Sequence, residues 1–143
     1  MNNNRVLLVD DEIEFVETLA ARLETRGFRV DIAESGEMAV ERVQAKSFDA
    51  VVLDLAMPGM DGIETLERLR QLNPDCQVVL LTGRGTVKKA TEAMRLGALD
   101  LLEKPIDIEV LVEKIEEAAT NKARLTEKRI EQEMAEIKRK KGW

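Results

Sequence analysis

The sequence contains no histidine, no tyrosine and a single cysteine, Cys76, among its 143 residues. One cysteine permits no internal disulfide, and without histidine the chain cannot build a Cys/His zinc cluster. A Ser-His-Asp triad, a Cys-His nucleophile pair and a histidine-liganded metal are excluded for the same reason. The functional chemistry must therefore come from carboxylate, hydroxyl and amine side chains.

Long apolar runs are also missing from the sequence. The longest, such as Val6–Val9 and Val78–Leu81, fall far short of the roughly 20 residues that a membrane-spanning helix needs. The first residues, Met1–Arg5, lack the apolar core of a signal peptide. We therefore expect no membrane association and a cytoplasmic location.

The composition, 44% hydrophobic and 35% charged, is typical of a globular protein, and the length suits one domain. The formal net charge of −6 is unevenly distributed. Residues 121–143 hold eight Lys or Arg against four Glu, a net charge of +4, which leaves −10 for residues 1–120. We therefore divide the chain into an acidic globular domain, residues 1–120, and a basic helical extension, residues 121–143.

Apolar, β-branched runs alternate five times with segments of helical periodicity, which is typical of an α/β protein with a parallel sheet. The predicted strands are Arg5–Val9, Arg29–Ala33, Ala50–Leu53, Gln77–Leu81 and Leu99–Leu102. Helices are predicted to begin near Ile13, Ser35-Gly36, Asp61-Gly62, Thr86 and Asp107. No Pro or Gly follows Asn121 until Gly142, so we expect the last helix to continue past the globular core.

In an open parallel sheet, ligands bind at the carboxyl ends of the strands. The side chains predicted at those ends are Asp10, Asp11 and Glu12 after the first strand, Asp54 after the third, Thr82 after the fourth and Lys104 after the fifth. Converging carboxylates repel one another unless a cation lies among them, and hard oxygen ligands suit Mg²⁺. With that metal in place, Asp54 could attack a phosphoryl group to form an aspartyl phosphate. The Lys104 ammonium would pair with the phosphoryl oxygens, and the Thr82 hydroxyl would donate a hydrogen bond to one of them.

Four motifs occur in the chain in this order: Asp10-Asp11-Glu12, the run from Asp54 to Gly62, Thr82-Gly83 and Lys104-Pro105. Together they resemble the receiver domain of two-component response regulators, over about residues 4–120. The resemblance implies a flavodoxin-like, doubly wound parallel sheet of five strands in the order 2-1-3-4-5, with five helices. It also implies a phosphorelay signalling protein in which a histidine kinase or a phosphotransfer protein phosphorylates Asp54. Such a protein is not an enzyme and assists only its own phosphorylation and slow dephosphorylation.

The resemblance also implies a metal site. Asp11, Asp54 and the backbone carbonyl of Ala56 would hold Mg²⁺, with Asp10 beside them mainly through water. The Lys104-Pro105 peptide bond is expected to be cis.

A switch is the last feature that the resemblance implies. Phosphorylation in this family draws a threonine, here Thr82, toward the phosphate and reorients an aromatic side chain on the fifth strand. The surface formed by the fourth strand, fourth helix, fifth strand and fifth helix changes as a result. Leu101 stands at the aromatic position, where it can fill the vacated space but offers no hydroxyl and no ring edge. The threonine half of the switch is intact.

Two alternative functions belong to other classes. A flavin-binding electron carrier has the same fold, but a flavin phosphate needs a neutral loop after the first strand, and Asp10-Asp11-Glu12 would repel it. The chain also has no tyrosine and only one tryptophan, Trp143, to stack on the flavin ring. The second alternative is a docking module that works without phosphorylation.

The sequence contains no second globular pattern after residue 120, so the phosphorylated form would act on a separate output protein or on an output domain outside this chain. We favour the stand-alone form, because the chain ends in a charged run and Gly142-Trp143. The last helix could serve dimerisation or fit a groove on a partner. We do not expect nucleic-acid binding through the basic cluster Lys138–Lys141, because such charges are usual at the C-terminus of a helix.

Overall fold

The computed structural model describes residues 4–57, 61–83 and 87–142. Within these residues the strands are β1 (Arg5–Val9), β2 (Arg29–Ala33), β3 (Ala50–Asp54), β4 (Val78–Thr82) and β5 (Asp100–Glu103). The helices are α1 (Ile13–Glu24), α2 (Gly36–Ala45), α3 (Gly62–Leu72), α4 (Val87–Arg95) and α5 (Ile108–Lys140). Strands and helices alternate along the chain, as the sequence predicts.

The five strands form one parallel sheet in the order β2-β1-β3-β4-β5, which confirms the predicted topology. The order reverses next to β1, because the chain first adds β2 on one side and then β3 on the other. Each pair of consecutive strands is joined by a crossover connection that contains a helix packed on one face of the sheet. The carboxyl ends of all five strands therefore lie at one edge of the sheet.

Two apolar layers cover the two faces of the sheet. One layer packs beneath α1 and α5, and the other beneath α2, α3 and α4. The central strands β1, β3 and β4 are buried along almost their whole length, whereas β2, at the edge, is mostly half-buried. Strands covered on both faces read as continuous apolar runs, which is why the sequence predicts them so closely.

Short polar side chains begin three of the helices. Ser35, Asp61 and Asp107 each accept a hydrogen bond from a backbone N–H in the first turn of α2, α3 and α5. Positive φ angles at Gly27 (92°) and Gly97 (100°) follow the ends of α1 and α4. The predicted start of the fourth helix at Thr86 lies outside the described residues.

Gly62 brings α3 close to the end of β3. A Cβ atom at this position would lie 2.5 Å from the Cα of Leu55 and 2.9 Å from the carbonyl oxygen of Asp54. No side chain can occupy that space without a shift of the backbone. The glycine therefore lets the helix pack directly against the strand end that carries Asp54.

Helix α5 continues far beyond the sheet, to Lys140, as the sequence predicts. Its middle turns contact the loops that precede β3 and β4. Lys122 Nζ donates to the hydroxyl of Ser47 and, at 2.6 Å, to the carbonyl of Phe48. The carboxylate of Asp75, which is buried, accepts from Thr126 Oγ1 at 3.2 Å and pairs with Arg129 Nη1 at 2.6 Å. We call these contacts the helix tie.

The helix tie lies at the edge of the sheet opposite the carboxyl ends of the strands, because the two loops precede their strands. Contacts between α5 and the rest of the domain therefore continue to Arg129, past the boundary predicted at residue 120. From Ile130 to Gly142 the side chains are exposed. Among the described helices, none combines the length and the apolar character that crossing a bilayer requires.

We predict that Arg129→Ala loosens the extension, because it removes a charged partner from a buried carboxylate. Amide hydrogen exchange between residues 122 and 134 should become about three- to tenfold faster, corresponding to roughly 1 kcal/mol. Lys128→Ala, a change of similar size at an exposed neighbouring position, serves as the control. Equal exchange rates in the two variants would show that the ion pair does not hold the helix.

Candidate functional site

Four strand ends bring their polar residues to the same edge of the sheet. Asp10 follows β1 directly, Asp54 and Thr82 are the last residues of β3 and β4, and Lys104 follows β5. Asp10 and Asp54 are only 2% and 3% exposed, respectively, so both carboxylates are almost fully removed from water. The convergence that the sequence predicts is therefore present for the side chains of Asp10, Asp54 and Lys104.

The ammonium group of Lys104 lies among three carboxylates. Its Nζ is 3.0 Å from Asp10 Oδ2, 3.0 Å from Glu12 Oε1 and 3.8 Å from Asp54 Oδ2. The backbone N–H of Lys104 donates to the carbonyl of Thr82, and the Lys104-Pro105 peptide bond is cis. The lysine is thus anchored by its backbone to the neighbouring strand, with its side chain directed into the acidic cluster.

Backbone N–H groups orient the two buried carboxylates. Asp10 Oδ1 accepts from the N–H of Glu12 at 2.9 Å, and Asp54 Oδ1 accepts from the N–H of Ala56 at 3.2 Å. These bonds leave Oδ2 of each residue facing the ammonium of Lys104. The site therefore presents one oxygen of Asp54 to the lysine and holds the other against the backbone.

Burial, more than the neighbouring charges, changes the ionisation of Asp54. Burial raises the pKa of its carboxyl, the charges of Asp10 and Asp11 add to that rise, and the pKa reaches about 6 against an ordinary 3.8. The N–H of Ala56 and the charge of Lys104 act in the opposite direction. A carboxylate held in its charged form at neutral pH in these surroundings has a strong attraction for a further cation.

The pKa of Lys104 is raised in the same cluster. Burial alone would lower it, but hydrogen bonds to Asp10 and Glu12, together with the charge of Asp54, outweigh the burial. The lysine therefore stays positively charged over the whole physiological range of pH.

Three carboxylates fit a divalent cation. Oxygen atoms of Asp10, Glu12 and Asp54 lie within 4.8 Å of one another. Hard oxygen donors at this spacing are the donor set that Mg²⁺ prefers.

The residues of this group differ in part from those that the sequence indicates. Asp11 and Glu12 are both exposed, and Glu12 joins the group, whereas the role of Asp11 as a metal ligand stays a prediction. The N–H of Glu12 turns back to the Asp10 side chain, which sets the direction of the chain after β1. An acidic run marks this loop as functional but does not show which of its side chains point inward, because that depends on the turn.

Thr82 and Leu101 are the residues expected to act as a switch. The Thr82 hydroxyl donates to the carbonyl of Gly83 at 3.0 Å, and the residue is 7% exposed. Leu101 pairs in register with Leu80 and is half-buried against the apolar layer beneath α2, α3 and α4. In this structure the threonine therefore points its proton to the backbone of its own loop.

Sequence reasoning missed Phe15 as a neighbour of the site. Its ring centroid lies 4.3 Å from Lys104 Nζ, within the range of a cation–π interaction. The helical periodicity of α1 assigns Phe15 only to an apolar face, because an aromatic next to a lysine 89 positions away leaves no local signal in the sequence.

The flavin alternative finds no support in this geometry. A flavin phosphate would have to approach the loop after β1, where the side chains of Asp10 and Glu12 lie with Asp54 in one acidic cluster. Such a cluster repels an anion unless a metal lies between them.

We predict that Asp54→Asn changes the pH dependence of stability in the presence of a chelator. The folded pKa of about 6 exceeds the ordinary value of 3.8, so Asp54 favours the folded state below about pH 4 and this contribution is lost as the pH rises through 6. The free energy of unfolding of the Asn variant minus that of wild type should therefore rise by about 1–3 kcal/mol from pH 4 to pH 7.5.

Urea unfolding at several pH values measures that difference. Glu103→Gln, which removes an exposed carboxylate from the same edge of the sheet, is the control and should show no such trend. A stability difference between wild type and Asp54→Asn that is constant from pH 4 to pH 7.5 would contradict the raised pKa of Asp54.

Comparisons with known proteins agree with the fold. The family model described as "Response regulator receiver domain" matches residues 6–116. The transcriptional regulatory protein ZraR of Klebsiella oxytoca is 42% identical over 122 residues, which cover 85% of this chain and 27% of ZraR. The transcriptional regulatory protein FixJ of Bradyrhizobium diazoefficiens is 36% identical, with 79% of this chain and 55% of FixJ covered.

A similar structure is that of a response regulator receiver domain protein from Clostridium thermocellum. It superimposes with a TM-score of 0.82 and 30% identity, and it covers 85% of this chain and 98% of that one. The chain spans about a quarter of the length of the ZraR relatives that it matches. A family model that matches most of the chain, relatives of this identity and the observed strand order lead to the same conclusion: the chain belongs to the receiver domains of two-component response regulators.

Proposed function

We propose that Asp54 accepts a phosphoryl group from a phosphohistidine on a histidine kinase or a phosphotransfer protein. The observation that carries the proposal is the position of Asp54 Oδ2, buried and 3.8 Å from Lys104 Nζ, while Oδ1 is held by the backbone of Ala56. Receiver domains of this family interact with histidine kinases and output domains, which supports the choice of donor.

The transfer moves one phosphoryl group and no net electrons. An oxygen of the Asp54 carboxylate forms a bond to phosphorus while the bond between phosphorus and the donor's histidine nitrogen breaks. The electron pair of that bond leaves with the nitrogen, which takes up a proton. The carboxylate becomes an acyl phosphate, a product type that fits a nucleophilic carboxylate.

Asp10, Glu12 and Asp54 would hold Mg²⁺, and the resemblance adds Asp11 and the backbone carbonyl of Ala56. When bound, the metal neutralises charge on the carboxylates and on the phosphoryl oxygens. The protein supplies the rest of the site. Its buried strand ends keep the carboxylates together despite their repulsion, and their burial excludes water from the acceptor oxygen.

Lys104 and Thr82 would bind the phosphoryl group after transfer. The ammonium of Lys104 pairs with its oxygens, and the Thr82 hydroxyl exchanges its bond to Gly83 for one to the phosphoryl group. Leu101 fills the space beside β4 that Thr82 leaves. The surface formed by β4, α4, β5 and α5 then changes and becomes the signal that a partner reads.

The partner of the phosphorylated form is an output protein or an output domain joined to the extension. We propose residues 1–120 as the receiver domain and residues 121–143 as a basic helical extension that transmits orientation or mediates dimerisation. The protein acts in the cytoplasm as a signalling module and not as an enzyme. We assign no nucleic-acid binding to this chain itself.

We predict that acetyl phosphate phosphorylates the chain once, in a Mg²⁺-dependent reaction. Intact-mass spectrometry should show the gain of one base-labile phosphoryl group with Mg²⁺ and none with a chelator. Asp54→Asn removes the acceptor oxygen and should abolish the gain, while Glu103→Gln should leave it unchanged. If the wild type gains no phosphoryl group under any condition, the cluster serves as a docking surface or as a metal site of another kind.

A further inference from the structure

Phe15 is the aromatic residue of α1 that faces the acidic cluster. Its ring is half-buried and packs against the apolar layer beneath α1 and α5, so one side of the ring is fixed by the core. The ring centroid lies 4.3 Å from Lys104 Nζ. An ammonium at this distance is attracted by the negative potential of the ring face.

Among the described residues, the carboxylates of Asp10, Glu12 and Asp54 also lie beside the ammonium. The same oxygens form the donor set for a divalent cation. A cation on those oxygens weakens their attraction for Lys104, since it shares their charge. The ring offers no metal ligand, so its attraction for the ammonium stays the same whether or not a divalent cation is bound to the carboxylates.

The side chain of Lys104 needs a contact that limits the movement of its ammonium group. Its side chain is flexible, and the ordering of four rotatable bonds costs conformational entropy each time the ammonium must reach a given place. Glu12, which is largely exposed, draws the ammonium toward the solvent side at 3.0 Å, while Asp54 is farther away at 3.8 Å. A fixed ring beside Nζ limits how far the ammonium can move.

We propose that Phe15 is a positioning residue for Lys104, its ring face holding the ammonium beside Asp54 so that it is in place for the phosphoryl group. This inference rests on the proposed function of Asp54. A phenyl ring has no hydrogen-bond donor for a phosphoryl oxygen and no lone-pair ligand for a divalent metal. Its effect must therefore depend on the charge of Lys104.

The test is a double-mutant cycle measured with acetyl phosphate, which needs no partner protein. Phe15→Leu removes the ring and keeps an apolar side chain, whereas Phe15→Tyr keeps an aromatic ring at this position. Lys104→Met keeps the length of the lysine but removes its charge. Phe28→Leu, a ring removed from the same apolar layer, is the control for lost packing.

Phosphorylation of Asp54 is followed by intact mass at saturating Mg²⁺. Phe15→Leu should slow it about three- to tenfold, as expected from the strength of a partly buried cation–π contact. Phe15→Tyr and Phe28→Leu should remain within about twofold of wild type. In the Lys104→Met background, Phe15→Leu should cause no further slowing, because there is no ammonium left to position.

A second measurement does not depend on phosphorylation. In the chelated protein, NMR relaxation of the Lys104 ε-methylene carbon should show greater mobility in Phe15→Leu and wild-type mobility in Phe15→Tyr. Urea unfolding of each variant checks that it is folded.

Three results would overturn the positioning role: equal slowing by Phe15→Leu with and without the Lys104 charge, a Phe15→Leu rate equal to that of wild type, or an unchanged mobility of Lys104. The proposed function of Asp54 fails in a different way. There, the wild type takes up no phosphoryl group, or Asp54→Asn takes it up as well, and either result also overturns the role of Phe15 in phosphorylation.

Discussion

One ammonium group, that of Lys104, lies among three carboxylates at one edge of the sheet. Two of them, Asp10 and Asp54, are almost completely buried, and a buried carboxylate keeps its charge more easily when a cation or backbone N–H donors lie next to it. One positive charge cannot balance three negative charges. Burial raises the pKa of Asp54 to about 6, and the charges of Asp10 and Asp11 add to that rise. The surplus of negative charge among these described side chains makes the cluster attractive to a metal ion. The proposed phosphoryl chemistry depends on it.

The fold keeps these charges together against their repulsion. Asp10 and Asp54 stand at the ends of neighbouring strands that are buried on both faces, so the carboxylates cannot separate unless the sheet itself opens. Gly62 packs α3 against the backbone of Asp54 and Leu55, which closes the same strand end from the side. The free energy of burying the apolar layers on both faces therefore opposes the electrostatic repulsion at the site.

The strands and helices could be predicted from the sequence because their signals are local. Continuous apolar runs mark the buried strands, polar caps mark the starts of α2, α3 and α5, and the absence of Pro and Gly predicts a long α5. The contacts that α5 makes with the rest of the domain could not be predicted in this way. Its tie depends on Asp75 meeting Arg129 and on Lys122 reaching Phe48, pairs separated by more than 50 positions, and no local pattern encodes such a distance.

The candidate site likewise has features that are local in the sequence and features that depend on tertiary packing. The sequence by itself determined which strand ends carry acidic, hydroxyl and amine side chains, because a parallel topology sends all those ends to one edge. Only the tertiary structure decided that Glu12 reaches Lys104 beside Asp10 and Asp54, and that Phe15 lies next to the same ammonium. Those choices depend on the direction of a turn and on how a helix packs on the sheet, and both are set by the whole core rather than by neighbours in the chain.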